Sequence, residues 1–306
     1  MIGGVRMTAE WVLREKVAKQ VLDSGPPETL YPHRDWDILV LLDACRFDTF
    51  AEVAWGVLDG GTLTKIDSGV GGTPEFVRRH WVGDEHHDTV YVTANVYLSK
   101  IADERDFYAV DRVWEDGFDE KLRTTRPETV VERGIDAADR YPNKRIVVHL
   151  MQPHAPFIGE TTVGDRRVNQ ARSEELRDND TTPEQTNSAY DQLRRGKVTR
   201  TEVIDAYRDN LRMAVPPVKR LIKQTHGKTV VSADHGEMFG KRAWPVPVPI
   251  RGHANRIHMS GLTEVPWYEA PFDDRRRIVA EPPASDVSDI DEEQVRENLR
   301  AFGYIE

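Results

Sequence analysis

Several short stretches of this chain are almost entirely apolar, and they constrain the fold more than any other feature. The clearest is Ile38–Leu42, a continuous apolar run. A strand of this kind is buried on both faces, which is typical of a parallel sheet covered by helices. Similar strands are predicted in DTVYVTANVYL, KRIVVHLMQPHAPFIG and KTVVSADHGE. A buried, mostly parallel sheet is therefore the expected core.

Helical patterns alternate with these strands. A helix is predicted to begin near Phe47, another follows the Gly-rich loop of GTLTKIDSGVGGTPEFVRRHW, and two more cover Pro127–Tyr141 and Tyr207–Thr225. This alternation favours an α/β fold, a three-layer sandwich with a mostly parallel central sheet and helices on both faces. Because ligands bind such sheets beyond the carboxyl ends of the strands, a site is expected there.

Three parts of the chain are predicted from composition and pattern. They are an N-terminal amphipathic helix with a linker (1–35), a main domain (36–275), and an acidic tail with a short helix (276–306). The N-terminal helix is expected to pack on the domain, with a membrane surface or a partner as the alternative. Within the main domain, residues 161–197 are polar and bury little. They are either a lid near the site or a surface excursion without a role.

The charge balance limits the partners. The 306 residues carry a formal net charge of −10, which disfavours nucleic acid. No apolar run approaches the roughly 18 residues of a spanning helix, and the N-terminus lacks the apolar core of a signal peptide. A cytoplasmic location is expected, with peripheral membrane contact as an alternative, and the oligomeric state stays open. The single cysteine, Cys45, excludes an internal disulfide.

Polar and ionisable side chains stand where the predicted strands end. The first strand ends at Asp43, the third runs into His154, and the last ends at Asp234 and His235. These strand ends are expected to converge on one crevice. Carboxylates and imidazoles together suit zinc or manganese, so a divalent-metal site is predicted. Other polar residues at or beyond these strand ends are Arg46, Asp48, His149, Gln152, Lys241, His253 and His258.

The loop GVGGTPEF adds a hydroxyl group. Thr73 precedes Pro74 and Glu75, an order typical of a helix N-terminus. One interpretation is that Thr73 only caps the helix. The other is that it attacks a phosphorus or sulfur centre, since the helix dipole and free backbone N–H groups stabilise anionic oxygens and a metal would activate the hydroxyl.

Five motifs, taken together and in this order, resemble the sulfatase-like branch of the alkaline phosphatase superfamily. They span residues 37–267: LVLLDACRFD, SGVGGTPEF, HLMQPHAPF, YRDNLRMAVPPVKRLIK leading into VVSADHGEMFGK, and GHANRIHMSGLTEVPW. The resemblance implies the fold of that superfamily and one or two divalent ions. Zinc is expected, with manganese or calcium as alternatives.

The resemblance also implies roles for single positions. Thr73 corresponds to the nucleophile, which also contacts the metal. The implied metal ligands are Asp43, Thr73, Asp234 and His235, and His253 binds either a second metal or the substrate. The implied contacts to the substrate's anionic group are Arg46, His154 and Lys241. His149 is interpreted as structural, and His258 has no counterpart.

Two departures from the family leave alternatives open. Sulfatases that use formylglycine carry the modified cysteine in a C-x-P-x-R context, whereas Cys45 lies in DACRFD. A threonine nucleophile instead resembles phosphatases, phosphodiesterases and phospho-group transferases. The interval from Asp43 to Thr73 is short for the family, so Ser68 stays an alternative nucleophile.

The predicted function is a metal-dependent hydrolase or group transferase acting on phosphate mono- or diesters through a covalent phospho-enzyme. The expected substrate is a small-molecule, glycan or lipid head-group ester. The alternatives are a sulfatase, and a non-catalytic protein that binds an anion or a partner on the same fold.

Overall fold

The structure is a computed structural model that describes residues 29–163, 188–242, 249–253 and 257–284. Three predictions lie outside these residues: the N-terminal amphipathic helix, most of the polar stretch 161–197, and the short helix of the acidic tail. No described helix is both long and apolar enough to cross a membrane.

A seven-stranded sheet forms the centre of the described chain, in the order β2-β11-β8-β1-β7-β3-β4. Two further two-stranded sheets pair β5 with β6 and β9 with β10. The strands are β1 (Ile38–Asp43), β2 (Thr62–Asp67), β3 (His86–Thr93), β4 (Phe107–Arg112), β5 (Phe118–Asp119), β6 (Thr124–Thr125), β7 (Arg145–Pro153), β8 (Thr229–Ala233), β9 (Met238–Arg242), β10 (Pro249–Gly252) and β11 (Glu264–Glu269).

The strand β1 lies in the middle of the large sheet. It pairs in parallel with β7 and β8, so that Leu39 stands opposite Val147 on one side and Val230 on the other. Strand β3 continues the parallel pairing to β7 and β4. Among the described strands of this sheet, the antiparallel pairings are those of β11 with β2 and with β8. The predicted mostly parallel sheet is confirmed, and β1 is buried along its whole length, as its apolar run indicated.

The helices connect these strands and pack on the sheet. They are α1 (Phe47–Val53), α2 (Thr73–His80), α3 (Tyr97–Ile101), α4 (Val113–Asp116), α5 (Pro127–Arg140), α6 (Ala189–Arg194), α7 (Arg200–Gln224) and α8 (Ser260–Thr263). The long helix α7 begins seven residues before its predicted start. Thr199 and Glu202 form a reciprocal capping box at its N-terminus, which fixes the earlier start.

Helices cover both faces of the sheet. On one face α5 lies so close to β7 that a Cβ on Gly134 would be 2.6 Å from Val148 Cγ2 and 3.3 Å from Leu221 of α7. On the other face the ring of Phe76 in α2 lies 6.5 Å from that of His149. Val148 and His149 are neighbours in one strand and point to opposite faces. The predicted three-layer arrangement is confirmed.

The chain beyond β11 stays attached to the domain. Arg275 forms a salt bridge with Asp37, with Nε and Oδ2 2.8 Å apart. Arg276 Nη2 donates to the carbonyl oxygens of Ala138 and Tyr141, at the end of α5. This segment therefore ties the amino end of β1 to a helix that covers the sheet.

Candidate active site

Three neighbouring strands end at one place on the sheet. Asp43 is the last residue of β1, Asp234 directly follows β8, and His154 directly follows β7. All three side chains are buried, and those of Asp43 and Asp234 completely. Because β7 and β8 flank β1 in parallel, their carboxyl ends meet at the same edge of the sheet. Residues that are far apart in the sequence become neighbours there.

Thr73 brings a hydroxyl group to this edge from the first turn of α2. Its Oγ1 donates to Asp234 Oδ2 at 2.7 Å and lies 3.2 Å from His235 Nε2. The helix begins at Thr73, and the N-cap position is occupied by Gly72, which has no side chain. The hydroxyl points into the carboxylate cluster, which favours a nucleophile or ligand over a simple helix cap.

The tautomer of His235 is set by its neighbour in the chain. Its Nδ1 lies 2.7 Å from the carbonyl oxygen of Gly236, so Nδ1 carries the proton and Nε2 keeps a lone pair. That lone pair faces Asp234 Oδ2 at 3.4 Å and Asp43 Oδ1 at 3.7 Å. A nitrogen lone pair and two carboxylate oxygens repel one another unless a cation lies among them.

Asp43 is held by a residue from a fourth strand end. Asn95, just beyond β3, donates from Nδ2 to Asp43 Oδ2 at 2.8 Å, and its own Oδ1 accepts the N–H of Tyr97 at 2.9 Å. Asn95 is completely buried. The sequence analysis gave it no role, although it carries the same signal as the other site residues, a polar side chain directly after an apolar strand.

A close approach of the backbone explains the glycine that follows the Asp-His pair. The N–H of Gly236 donates to the carbonyl oxygen of Leu262 at 2.5 Å. A Cβ at Gly236 would lie 2.3 Å from the carbonyl oxygen of Gly261, so only glycine fits. The chain around α8 thus packs directly against the backbone at Gly236, just after Asp234 and His235.

His149 lies closer to the site than its predicted structural role suggests. Its Nδ1 lies 3.1 Å from the Tyr91 hydroxyl and its Nε2 lies 3.9 Å from Asp234 Oδ2. That Nε2 is buried and has no hydrogen-bond partner among the residues that the structure describes. Together with Asp43 and Asp234, His149 places potential ligand atoms within 4.8 Å of one another. It is therefore a further candidate ligand.

A second group of potential ligands lies beside the first. His154, Glu237 and His253 also place their ligand atoms within 4.8 Å of one another. The ring of His253 lies 4.7 Å from that of His235 and 5.1 Å from that of His154. Glu237, which the sequence analysis left without a role, is completely buried. The pairing of β9 with β10 places Met238 opposite Gly252 and so brings Glu237 and His253 together.

The loop that carries His154 is fastened to α7. Asn210 Nδ2 donates to the carbonyl oxygens of Pro153 at 3.2 Å and His154 at 2.9 Å, and its Oδ1 accepts the N–H of Ile158 at 2.8 Å. Asn210 is completely buried. One asparagine therefore satisfies several backbone groups that loop burial removes from water.

Burial keeps the imidazoles of His149, His154 and His235 neutral. Desolvation lowers the pKa of His235 and of His154 to about 3, with the neighbouring His253 adding to the effect. Desolvation likewise lowers the pKa of His149 to about 4. Burial alone would raise the pKa of Glu237, but the neighbouring His253, His154 and Tyr190 together outweigh burial and keep that pKa below its usual value. Neutral imidazoles and ionised carboxylates are the forms that bind divalent metals.

The donors around the Thr73 hydroxyl fit a divalent cation. These donors are the carboxylates of Asp43 and Asp234, the Nε2 lone pair of His235 and the hydroxyl of Thr73. A cation at this place would relieve the repulsion between that lone pair and the carboxylate oxygens. It would also give a partner to His149 Nε2, which has no hydrogen-bond partner among the described residues. Mixed oxygen and nitrogen donors suit zinc or manganese better than calcium, which takes oxygen ligands.

Arg46 and Lys241 lie apart from Thr73. The guanidinium of Arg46 forms a salt bridge with Asp48, and its Nη1 donates to the carbonyl oxygen of Glu237 at 2.9 Å. Lys241 is exposed on β9. In the part of the chain that the structure describes, neither side chain contacts the Thr73 hydroxyl.

Ser68, the alternative nucleophile, is buried but turned elsewhere. Its hydroxyl donates to the carbonyl oxygen of Val70 at 3.3 Å, and no contact between described residues joins it to Asp234. His258 is also separate, with Nε2 3.1 Å from Asp67 Oδ2. Thr73 is thus the hydroxyl that the fold brings to the carboxylates.

No family model and no curated protein sequence matches this chain. Several solved structures are similar to it. The C-terminal periplasmic domain of the phosphoethanolamine transferase EptC from Campylobacter jejuni has a TM-score of 0.47 and 15% identity, covering 76% of this chain and 77% of that one. The zinc complex of the corresponding Escherichia coli EptC domain has a TM-score of 0.44 and 13% identity, covering 80% and 77%.

A third similar structure is a protein of the alkaline phosphatase superfamily from Vibrio parahaemolyticus. Its TM-score is 0.40 with 10% identity, covering 86% of this chain and 66% of that one. This is the superfamily that the sequence motifs resemble. Similarity at these identities concerns the fold alone.

Proposed function

We propose that this protein is a metal-dependent hydrolase or group transferase that acts on phosphate esters with Thr73 as its nucleophile. One observation supports this most: the buried Thr73 hydroxyl lies 2.7 Å from Asp234 Oδ2 and 3.2 Å from His235 Nε2, in the first turn of a helix. An alcohol becomes an effective nucleophile when a base, a cation or both lower the cost of losing its proton. The site offers groups for both.

The cation would be held by Asp43, Asp234, His235 and Thr73. Zinc is the expected ion, with manganese or calcium as alternatives. When bound, the cation supplies positive charge that lowers the pKa of the Thr73 hydroxyl and offsets the charge of the phosphate.

The chain's own groups orient the nucleophile. The hydrogen bond from Thr73 Oγ1 to Asp234 Oδ2 directs the hydroxyl proton to the carboxylate, so that a lone pair of the oxygen is left for attack. The N-terminal end of α2 carries the positive end of the helix dipole. Phosphate oxygens are stabilised at such an end, which places the phosphorus next to Thr73.

The reaction proceeds in two displacements. In the first, Thr73 Oγ1 bonds to phosphorus and gives its proton to Asp234. The bond from phosphorus to the leaving oxygen breaks, and that oxygen takes a proton from solvent. In the second, water or an acceptor alcohol attacks the phosphorus of the phosphothreonine and releases its proton to solvent, while the bond from phosphorus to Thr73 Oγ1 breaks and that oxygen regains its proton from Asp234. Water gives hydrolysis and an alcohol gives transfer.

His154 and His253 lie on the other side of His235 and are proposed to contact the transferred group or a second ion. Arg46 and Lys241 stay predicted substrate contacts. The substrate class that we propose is a small-molecule, glycan or lipid head-group ester. A phosphate ester is favoured over a sulfate ester because Cys45 is completely buried with its thiol 3.8 Å from the Arg46 carbonyl, and it lacks the context for formylglycine.

The test is metal reconstitution with three substrates. The purified protein is stripped with a chelator and reloaded with zinc, manganese or calcium, and its metal content is measured by mass spectrometry. Turnover of nitrophenyl phosphate, bis-nitrophenyl phosphate and nitrophenyl sulfate is then compared. We expect about one or two equivalents of bound metal and turnover of a phosphate ester that is lost on stripping and restored on reloading. No bound metal and no turnover after reloading would leave a non-catalytic binding protein.

A further inference from the structure

Tyr207 of α7 is fastened to the turn that follows Asp43. Its hydroxyl donates to the carbonyl oxygen of Ala44 at 2.6 Å and accepts the N–H of Arg46 at 3.0 Å. The side chain is completely buried, and its ring packs edge-on against Phe239 with the centroids 4.9 Å apart. A single hydroxyl therefore satisfies two backbone groups of this turn.

Ala44 has a backbone conformation that alanine rarely adopts. Its φ is +59°, in the left-handed region where a Cβ crowds the following carbonyl oxygen. A residue strained in this way persists where its surroundings hold it in place. The Tyr207 hydroxyl donates to the carbonyl oxygen of Ala44 itself. Tyr207 is therefore placed to hold Ala44 in this conformation.

The turn at Ala44 also fixes the orientation of the Asp234 carboxylate. The N–H of Ala44 donates to Asp234 Oδ1 at 3.0 Å, and the N–H of His235 donates to the same oxygen at 2.8 Å. With Oδ1 engaged by two backbone donors, Oδ2 faces the Thr73 hydroxyl. If Ala44 relaxed to a negative φ, its N–H would turn away from Oδ1 and the carboxylate could rotate.

We propose that Tyr207 is a positioning residue for the nucleophile and acts on Thr73 through Ala44 and Asp234. This inference rests on the proposed function, in which Thr73 and Asp234 carry the chemistry. This role explains why α7 carries a tyrosine at this buried position. A phenylalanine ring would fill the same space against Phe239 but would bring no hydroxyl.

The test uses four variants of the full chain. They are Tyr207→Phe, Ala44→Gly, the double variant, and Tyr268→Phe as a matched control. Tyr268 is also buried, and its hydroxyl donates to the carbonyl oxygen of Gly60 at 3.1 Å, away from the site. Each protein is compared by kcat and KM for nitrophenyl phosphate, by zinc affinity in competition with a colorimetric chelator, and by melting temperature.

The Tyr207→Phe change is expected to lower both kcat and zinc affinity by about 10–100-fold, as for residues that hold metal ligands in place, with KM little altered. The Tyr268→Phe change is expected to lower only the melting temperature. Adding Ala44→Gly should restore kcat and zinc affinity, because glycine takes a positive φ without strain. If Tyr207→Phe alone is too unstable to purify, the double variant is compared with Ala44→Gly instead. In that comparison we expect little loss of kcat or of zinc affinity.

Three results would overturn the inference. The first is a Tyr207→Phe protein with wild-type kcat and zinc affinity but a lowered melting temperature, since Tyr207 would then only stabilise the fold. The second is a double variant that recovers neither quantity. The third is a wild-type protein that binds no zinc and turns over no ester. That last result would contradict the proposed function itself. It is distinguishable from the first two results because the wild-type protein, and not only a variant, then lacks zinc binding and turnover.

Discussion

Thr73 and Asp234 lie 161 positions apart in the chain and are joined by a buried hydrogen bond of 2.7 Å. Thr73 begins a helix and Asp234 directly follows a strand, and the parallel sheet brings these two places together. Through this contact, a hydroxyl group at the positive end of a helix dipole is hydrogen-bonded to a carboxylate. The proposed chemistry depends on this relationship more than on any other.

Removing the Thr73 hydroxyl is expected to abolish turnover. Thr73→Ala has no oxygen to attack phosphorus, so kcat should fall by at least about 10³-fold, as for loss of other nucleophiles. Thr73→Ser keeps the oxygen and should retain measurable turnover. Ser68→Ala is the control, because the Ser68 hydroxyl is bonded to Val70 and its loss should leave kcat unchanged. Loss of turnover in Ser68→Ala, with Thr73→Ala active, would reverse the assignment.

Removing the amide of Asn95 is expected to weaken metal binding. Without the donor to Asp43 Oδ2, the carboxylate is less well held, and zinc affinity should fall by about 10–100-fold in Asn95→Ala. Asn143→Ala changes an exposed asparagine and should not alter zinc affinity. Competition with a chelator of known affinity measures both. Equal zinc affinities in the two variants would show that Asn95 has no part in holding Asp43.

Adding a methyl group at Gly236 is expected to destabilise the fold. The new Cβ of Gly236→Ala would lie 2.3 Å from the carbonyl oxygen of Gly261, and overpacking of this kind costs roughly 1–3 kcal/mol. Gly56→Ala is the matched control, since a Cβ there meets nothing within 4 Å. Urea denaturation of both variants measures the difference. A Gly236→Ala protein as stable as Gly56→Ala would contradict the close approach.

The buried His80 is expected to make the domain less stable in acid. Burial lowers its pKa to about 3 in the folded state, well below the roughly 6.5 of an unfolded chain. The unfolded state therefore binds the extra proton between these values, so stability is complete above about pH 6.5 and falls as the pH drops towards 3.

The variant His80→Gln isolates this contribution. Between about pH 4 and 6, the slope of the unfolding free energy against pH should be shallower than in the wild type by about 1.4 kcal/mol per pH unit, the value for one proton. Denaturant titrations at several pH values measure both slopes. Parallel curves for the two proteins would show that His80 does not titrate as its burial implies.

Much of the fold could be predicted because parallel strands leave a strong signature. The strands β1, β7 and β8 are apolar over most of their length, and this pattern indicates burial on both faces. The strand β11 was not predicted. Its sequence EVPWYE contains Pro266, which argues against a strand inside a sheet, and its antiparallel place between β8 and β2 follows from tertiary packing that no local pattern encodes.

The site was predictable where chemistry coincides with the end of an element. Asp43, Thr73, Asp234 and His235 each stand at a strand end or a helix start, and the structure brings these four together. His149 was interpreted as structural because it lies within a strand. Glu237 was given no role because it is brought to His253 by the pairing of β9 with β10, which the sequence analysis did not predict. The part proposed for Tyr207 depends on a backbone torsion at Ala44, which has no signal in the sequence.

The most direct measurement of the central claim is identification of the covalent intermediate. The metal-loaded protein is mixed with nitrophenyl phosphate, quenched in acid during turnover, digested, and examined by mass spectrometry. The proposed mechanism predicts a phosphoryl group on Thr73, absent from Asp234→Asn protein treated in the same way. A phosphoryl group on Ser68 instead, or turnover without any phosphorylated residue, would contradict it.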